Sequence, residues 1–156
     1  MRSILGGLSA ILLFAGITTT PAQTAFGGRL TGTWDTVVTI RVCATGAPIT
    51  SFQSVGSFNR GGTFSGITSG QPPTVRTSER GVWTHVARNS YRFRFKAYLY
   101  NPDAVAIGYQ IVTQDLELDR RALNWSSEGT SETFTMDGIL TGSGCSTATG
   151  SRMVID

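Results

Sequence analysis

Between Tyr91 and Tyr100 the chain alternates. Tyr91, Phe93, Phe95, Ala97 and Leu99 hold one parity, and Arg92, Arg94, Lys96, Tyr98 and Tyr100 hold the other. A period of two places the first set on one face of a strand and the second on the opposite face. Asn101-Pro102-Asp103 then breaks the run, because Pro has no N–H for a ladder and Asn and Asp favour turns. Alternation resumes from Val105 to Asp119, with Val112, Leu116 and Leu118 on one face and Thr113, Asp115, Glu117 and Asp119 on the other. A turn centred near Asp103 sets Arg92 opposite Asp115, so the hairpin carries a basic outer strand beside an acidic one. Three cations buried without partners would each cost several kcal/mol, so the aromatic face is the inner one.

The same pattern recurs along the chain. Strands are expected at Thr33–Cys43, Ser51–Phe58, Thr63–Thr68, Arg80–Ala87, Leu123 to about Met136, and Cys145–Ile155. Thr45-Gly46-Ala47-Pro48, Asn59-Arg60-Gly61-Gly62, Arg88-Asn89, Arg120-Arg121 and Asp137-Gly138 mark turns between them. Ser69–Ser78 is the longest stretch without periodicity and reads as a surface loop, a lid or a mobile segment. No connection is long enough to join a parallel pair. The expectation is an all-β fold, an eight-stranded antiparallel up-and-down barrel, in which the first and last strands become neighbours.

Composition limits the alternatives. A chain of 156 residues, 40% hydrophobic and 15% charged, suits one domain with its own core. Its 19 glycines favour turns and short strands, and no long apolar stripe at helical spacing follows residue 25. Before that, Arg2 precedes a run of 14 uncharged residues, Ile4–Ile17, followed by Thr18-Thr19-Thr20-Pro21-Ala22. This is the layout of a signal peptide, with Thr20 and Ala22 at the small positions before the cleavage site. The run falls short of the roughly 20 residues that a membrane span needs. Residues 1–22 are therefore expected to be a leader and residues 23–156 a single β-barrel domain, secreted or periplasmic. The formal charge of +3, scattered along the chain and lowered by one when Arg2 leaves, does not suit nucleic acid. In an oxidising compartment the two cysteines, Cys43 and Cys145, are expected to bond across 102 positions, tying the first strand to the last. With one histidine and no further thiol, no metal site is expected.

Gly32-Thr33-Trp34, at the start of the first strand, resembles the G-x-W signature of the lipocalins and the wider calycin group. That resemblance implies an eight-stranded barrel, a small apolar ligand inside it, and an Arg near the chain end packed over the Trp. Arg152, in Thr149-Gly150-Ser151-Arg152, is placed for that role. Gly81-Val82-Trp83 and the following stretch to Phe95 are similar to a family of uncharacterised secreted bacterial proteins, whose pattern is G-x-W, a turn, and Y-x-F-x-F. The helix that lipocalins usually carry before the last strand has no counterpart pattern here.

The candidate ligand-binding residues are Trp83, His85, Tyr91, Phe93 and Phe95. Trp83 and His85 share parity, and a pocket bounded by Phe93, Phe95, Trp83 and His85, open at one end near a loop, is the expected site. The fourth strand's sense stays open, since Val82, Thr84 and Val86 could point inward instead. Glu128 and Glu132 could pair with His85 or Arg41 if they were inside, although strand carboxylates are usually exposed. There is no Ser-His-Asp arrangement, phosphate loop or dinucleotide fingerprint, so no catalytic residue and no cofactor is assigned. The reading is a secreted lipocalin-like barrel that binds a small hydrophobic molecule, without nucleic-acid or membrane partners after leader cleavage. A barrel enzyme of isomerase or cyclase type, like the allene oxide cyclase group, and a solid-cored barrel acting through Ser69–Ser78 remain open. The oligomeric state is not legible.

Overall fold

The computed structural model describes residues 27–155; the expected leader, residues 1–22, lies outside them. A 3-10 turn, Gly27–Arg29, leads into eight strands: β1 (Gly32–Arg41), β2 (Pro48–Asn59), β3 (Thr63–Thr68), β4 (Glu79–Ala87), β5 (Ser90–Tyr100), β6 (Ala106–Leu118), β7 (Asn124–Thr135) and β8 (Leu140–Arg152). Each pairs antiparallel with the next, and β8 pairs with β1 to close the barrel. The expected register of the central hairpin holds, with Arg92 opposite Asp115 and a bidentate guanidinium–carboxylate contact, Nε to Oδ1 at 2.7 Å and Nη2 to Oδ2 at 3.0 Å. Arg92, Arg94, Asp115 and Glu117 all lie on the exposed outer face, while Tyr91, Phe93, Phe95 and Ala97 are buried.

Several boundaries differ from expectation: β1 ends at Arg41 rather than Cys43, and β2 begins at Pro48 rather than Ser51. β8 begins at Leu140 rather than Cys145, because Gly142, Ser143 and Gly144 pair with Thr133, Glu132 and Ser131. The β7 ladder holds in register glycines that would read as punctuation on their own. At its other end the strand stops at Arg152, and Val154 and Ile155 are exposed. The Ser69–Ser78 loop is also less free than its composition suggests. Arg76 bridges to Leu99, Thr77 N donates to Tyr98 O at 3.0 Å, and Tyr100 N donates to Val75 O at 2.9 Å.

One end of the barrel is plugged. Leu30 and Trp34 are fully buried, and Trp34 Nε1 donates to Leu30 O at 3.0 Å. The Arg152 guanidinium lies over the Trp34 ring, 4.2 Å from its centroid. It also donates to Thr31 O at 2.8 Å, Arg29 O at 2.5 Å and Ala122 O at 2.6 Å. Gly32 explains the G-x-W spacing. Its φ of +139° is open to glycine, and a Cβ there would sit 2.5 Å from Arg152 Nη1. Beside the plug, Arg29 reaches Asn89 Oδ1 at 2.6 Å and Arg120 O at 2.7 Å. The lead-in, the β4–β5 and β6–β7 turns and the last strand are thereby gathered at one end.

The disulfide is formed, with Cys43 and Cys145 Cα atoms 5.2 Å apart. It sits at the other end of the β1–β8 seam, where Arg41 pairs with Cys145. Cys43 is exposed and Cys145 half-buried. Such a bond is compatible with an oxidising, extracytoplasmic setting.

Candidate functional site

The barrel interior is asymmetric because its inward residues are. β3, β4 and β5 contribute Phe64, Trp83, Tyr91, Phe93 and Phe95, all buried. Facing them, β1, β2, β7 and β8 turn small groups inward: Thr36, Ser54, Gly56, Ser127, Ser146 and Ala148. Near the plug, Phe58 and Trp125 fill the space between the walls. Phe58 meets Phe64, Trp83 and Phe93 with centroids 5.0, 6.1 and 5.2 Å away, and Trp125 stands edge-on to Trp34 at 6.3 Å. Farther up no ring crosses, and a cavity of about 520 Å³ remains. An eight-stranded barrel has room for one small ligand, and this volume lies within the roughly 300–1,000 Å³ of small-molecule sites.

Phe58, Phe64, Phe93 and Trp125 form the cavity floor, and Val38, Ile40, Phe52, Phe95 and Val112 lie on its walls. Exposed Thr50, Ser69, Gly70 and Gln71 mark the mouth, on the side away from Trp34. Phe52 lies beneath Gly70, whose missing side chain leaves space for the ring.

Polar groups occur at two levels. On the wall, Gln114 Nε2 donates to Ser146 Oγ at 2.8 Å and Ser127 Oγ donates to Gln114 Oε1 at 3.0 Å. This buried network meets its own hydrogen-bonding needs, as a low-dielectric site demands. Higher up, Arg76 Nη1 donates to Glu79 Oε1 at 2.9 Å, and both side chains are nearly fully buried. Gln110 Oε1 lies 3.4 Å from Arg76 Nη2. Burial pushes the Glu79 carboxyl above its usual range, and the neighbouring Arg76 charge and hydrogen bond offset this only in part.

The sign of that shift fixes a pH dependence. A carboxyl raised on folding adds stability below its unfolded value, and that contribution is lost as pH rises through the folded one. Stability curves of wild type and Glu79→Gln, measured by urea denaturation across the acid range, should therefore diverge. The wild type should decline relative to the variant as pH rises through the raised value. Parallel curves would contradict this assignment.

Of the five expected ligand residues, the structure brings only Phe93 and Phe95 to the cavity. The expected pocket boundary is corrected for the others. Trp83, Tyr91 and His85 share the inward parity but sit below the floor, near the plug. Trp83 is buried with Nε1 donating to Asn59 O at 3.0 Å, and Tyr91 is packed against it at 5.9 Å. His85 is half-buried, edge-on to Tyr91 at 5.1 Å, with Nε2 at 2.9 Å from Arg88 O. The reason is axial. In the β4–β5 hairpin His85 faces Tyr91, Trp83 faces Phe93 and Gly81 faces Phe95, so the earlier part of β4 reaches the hollow half. Glu128 and Glu132 are exposed on the outer face of β7, not inside.

The sequence reading missed Glu79, Arg76, Gln110, Gln114 and Trp125. Glu79 shares parity with Trp83, and Gln114 with Val112 and Leu116, so their inward direction was legible. Arg76 sits in an aperiodic loop and had no such signal. Compared with known proteins, the chain matches no family profile, no curated protein and no solved structure. The resemblance to secreted bacterial proteins gains no support from these comparisons; the closed eight-stranded barrel stands on the geometry itself.

Proposed function

We propose that this chain is an extracytoplasmic, lipocalin-like barrel that holds one small, largely apolar molecule in the open half of its interior. The observation that carries this reading is the half-hollow core. Aromatic rings close the barrel at Trp34, Phe58 and Trp125, whereas the space above them keeps about 520 Å³ behind a mouth of exposed residues. A barrel acting only through its surface would have no need of such a space, since unfilled core volume destabilises. The Cys43–Cys145 bond supports the compartment, and the Trp34–Arg152 plug supports the lipocalin likeness.

Nile red, an uncharged apolar dye, provides the test. Its emission should rise on binding, and Trp125, a cavity-floor residue, should be quenched in parallel. Val38 lines the cavity from β1, facing Phe52 and Ala148 on either side. Val38→Trp directs an indole into the hollow and should weaken dye binding at least about tenfold, a difference of about 1.4 kcal/mol. Dye binding that is equally tight in Val38→Trp would place the dye elsewhere and remove the support for an interior site.

A further inference from the structure

Among the described residues lining the cavity, Arg76 is the one cation and Glu79 the one anion, and they hold each other. Their exposures are 7% and 4%. Both are fixed by the fold. Arg76 is held by the bridge to Leu99, and Glu79 begins β4 directly after the loop, packed over Gly66. A Cβ on Gly66 would lie 2.6 Å from Glu79 Oε2, so the glycine makes space for the carboxylate. The remaining polar lining is neutral, made of Ser, Thr and Gln side chains that include Gln110, Gln114, Ser131 and Ser146.

We propose that the Arg76–Glu79 pair selects uncharged ligands, admitting a neutral apolar molecule that carries a hydroxyl or carbonyl group and refusing a carboxylate of the same size. This inference rests on the binding function proposed above and narrows its ligand class. A carboxylate entering the cavity needs a cation, and the guanidinium already serves Glu79. Accepting it would set two carboxylates against one Arg in a buried site, leaving one negative charge without a partner, which is costly. Glu79 is itself nearly fully buried with Arg76 as its cation, so an anion at this wall is cut off from water. A neutral hydroxyl faces no such imbalance. It can donate to the Glu79 carboxylate and accept from Arg76, whose contact with Gln110 is long at 3.4 Å. The ligand's apolar body then lies along Phe95, Val112 and Phe52.

The experiment is displacement of Nile red by decanol and decanoate at about pH 8, where the acid is ionised. Wild type should require at least about tenfold less decanol than decanoate. In Glu79→Gln the cation is released, and the decanol-to-decanoate preference should shrink by about tenfold or reverse. Adding Arg76→Gln to that variant removes the cation and should restore the discrimination. The wild-type comparison decides the matter on its own if a variant does not fold. Decanoate displacing the dye as well as decanol from wild type overturns the selectivity while leaving the cavity function standing. Discrimination that persists unchanged in Glu79→Gln overturns the role of the pair. Failure of wild type to bind Nile red at all sinks the cavity function, and this proposal with it.

Discussion

Trp34→Ala should lower the unfolding free energy by about 3–5 kcal/mol, the range for removing a large buried aromatic, and Arg152→Leu by about 2 kcal/mol or more. The double variant should lose less than the two together. Trp34 is fully buried at the barrel end, and its indole N–H and one ring face are both engaged, by Leu30 O and by the Arg152 guanidinium. Without the ring the end of the core is empty. Without the guanidinium, the carbonyls of Arg29, Thr31 and Ala122 lose their donor, and the lead-in keeps only the Arg29 side chain as its tie to the β6–β7 turn. Charge-assisted bonds of this kind contribute about 1.5–3 kcal/mol each when shielded; Arg152 is only half-buried, which favours the lower end. Because the two side chains share one contact, a double-mutant cycle by guanidinium denaturation should return a coupling of about 1 kcal/mol or more. Additive losses would mean that Arg152 fastens the lead-in independently of the ring. The cavity lies at the other end, so Nile red affinity per folded molecule should change far less than stability.

Parity made much of this fold readable. Alternation from Tyr91 to Tyr100 and from Val105 to Asp119 places the aromatics inside, and the Asn101-Pro102-Asp103 turn sets Arg92 across from Asp115. A one-residue slip would have turned Phe93 and Phe95 to solvent, so burial and register enforce each other. Parity gives the face of a residue but not its height along the barrel, and for that reason only Phe93 and Phe95 of the five expected residues line the cavity. His85 and Phe95 share a face, yet the tight Arg88-Asn89 turn sets His85 against Tyr91 near the plug. Counting back from that turn brings Glu79 toward the hollow half, a step that the sequence permits. It gives no such route to Arg76, whose position depends on Val75–Thr77 pairing with β5. Nor does it show that the Gly142-Ser143-Gly144 segment is strand, because that depends on its pairing with β7. The hollow itself follows from composition that one strand cannot reveal. Rings on β3, β4 and β5 are not matched by rings opposite, where Ser127, Ser146 and Ala148 face them.

Replacing Cys43 and Cys145 by Ser should cost about 4–5 kcal/mol on the chain-entropy account of a closure spanning 102 positions, with strand content retained. The bond contributes little to the native ladder, since β1 and β8 stay paired from Trp34 to Arg41 without it. Its effect falls mainly on the unfolded chain, whose ends it holds together. The β1–β8 seam is the one that up-and-down connectivity leaves without a turn, and it is fastened by different chemistry at its two ends. Arg152 holds the plugged end and the disulfide holds the end beside the mouth. Cys43 is exposed, so reductant has access. Urea denaturation of wild type with and without dithiothreitol, beside the double Ser variant, separates the contributions. Reduced wild type and the variant should unfold at the same lowered midpoint, the variant should ignore the reductant, and far-ultraviolet circular dichroism should match in all three. A wild-type midpoint unmoved by reduction would show that Arg152 and the β1–β8 ladder hold the seam closed without the covalent bond.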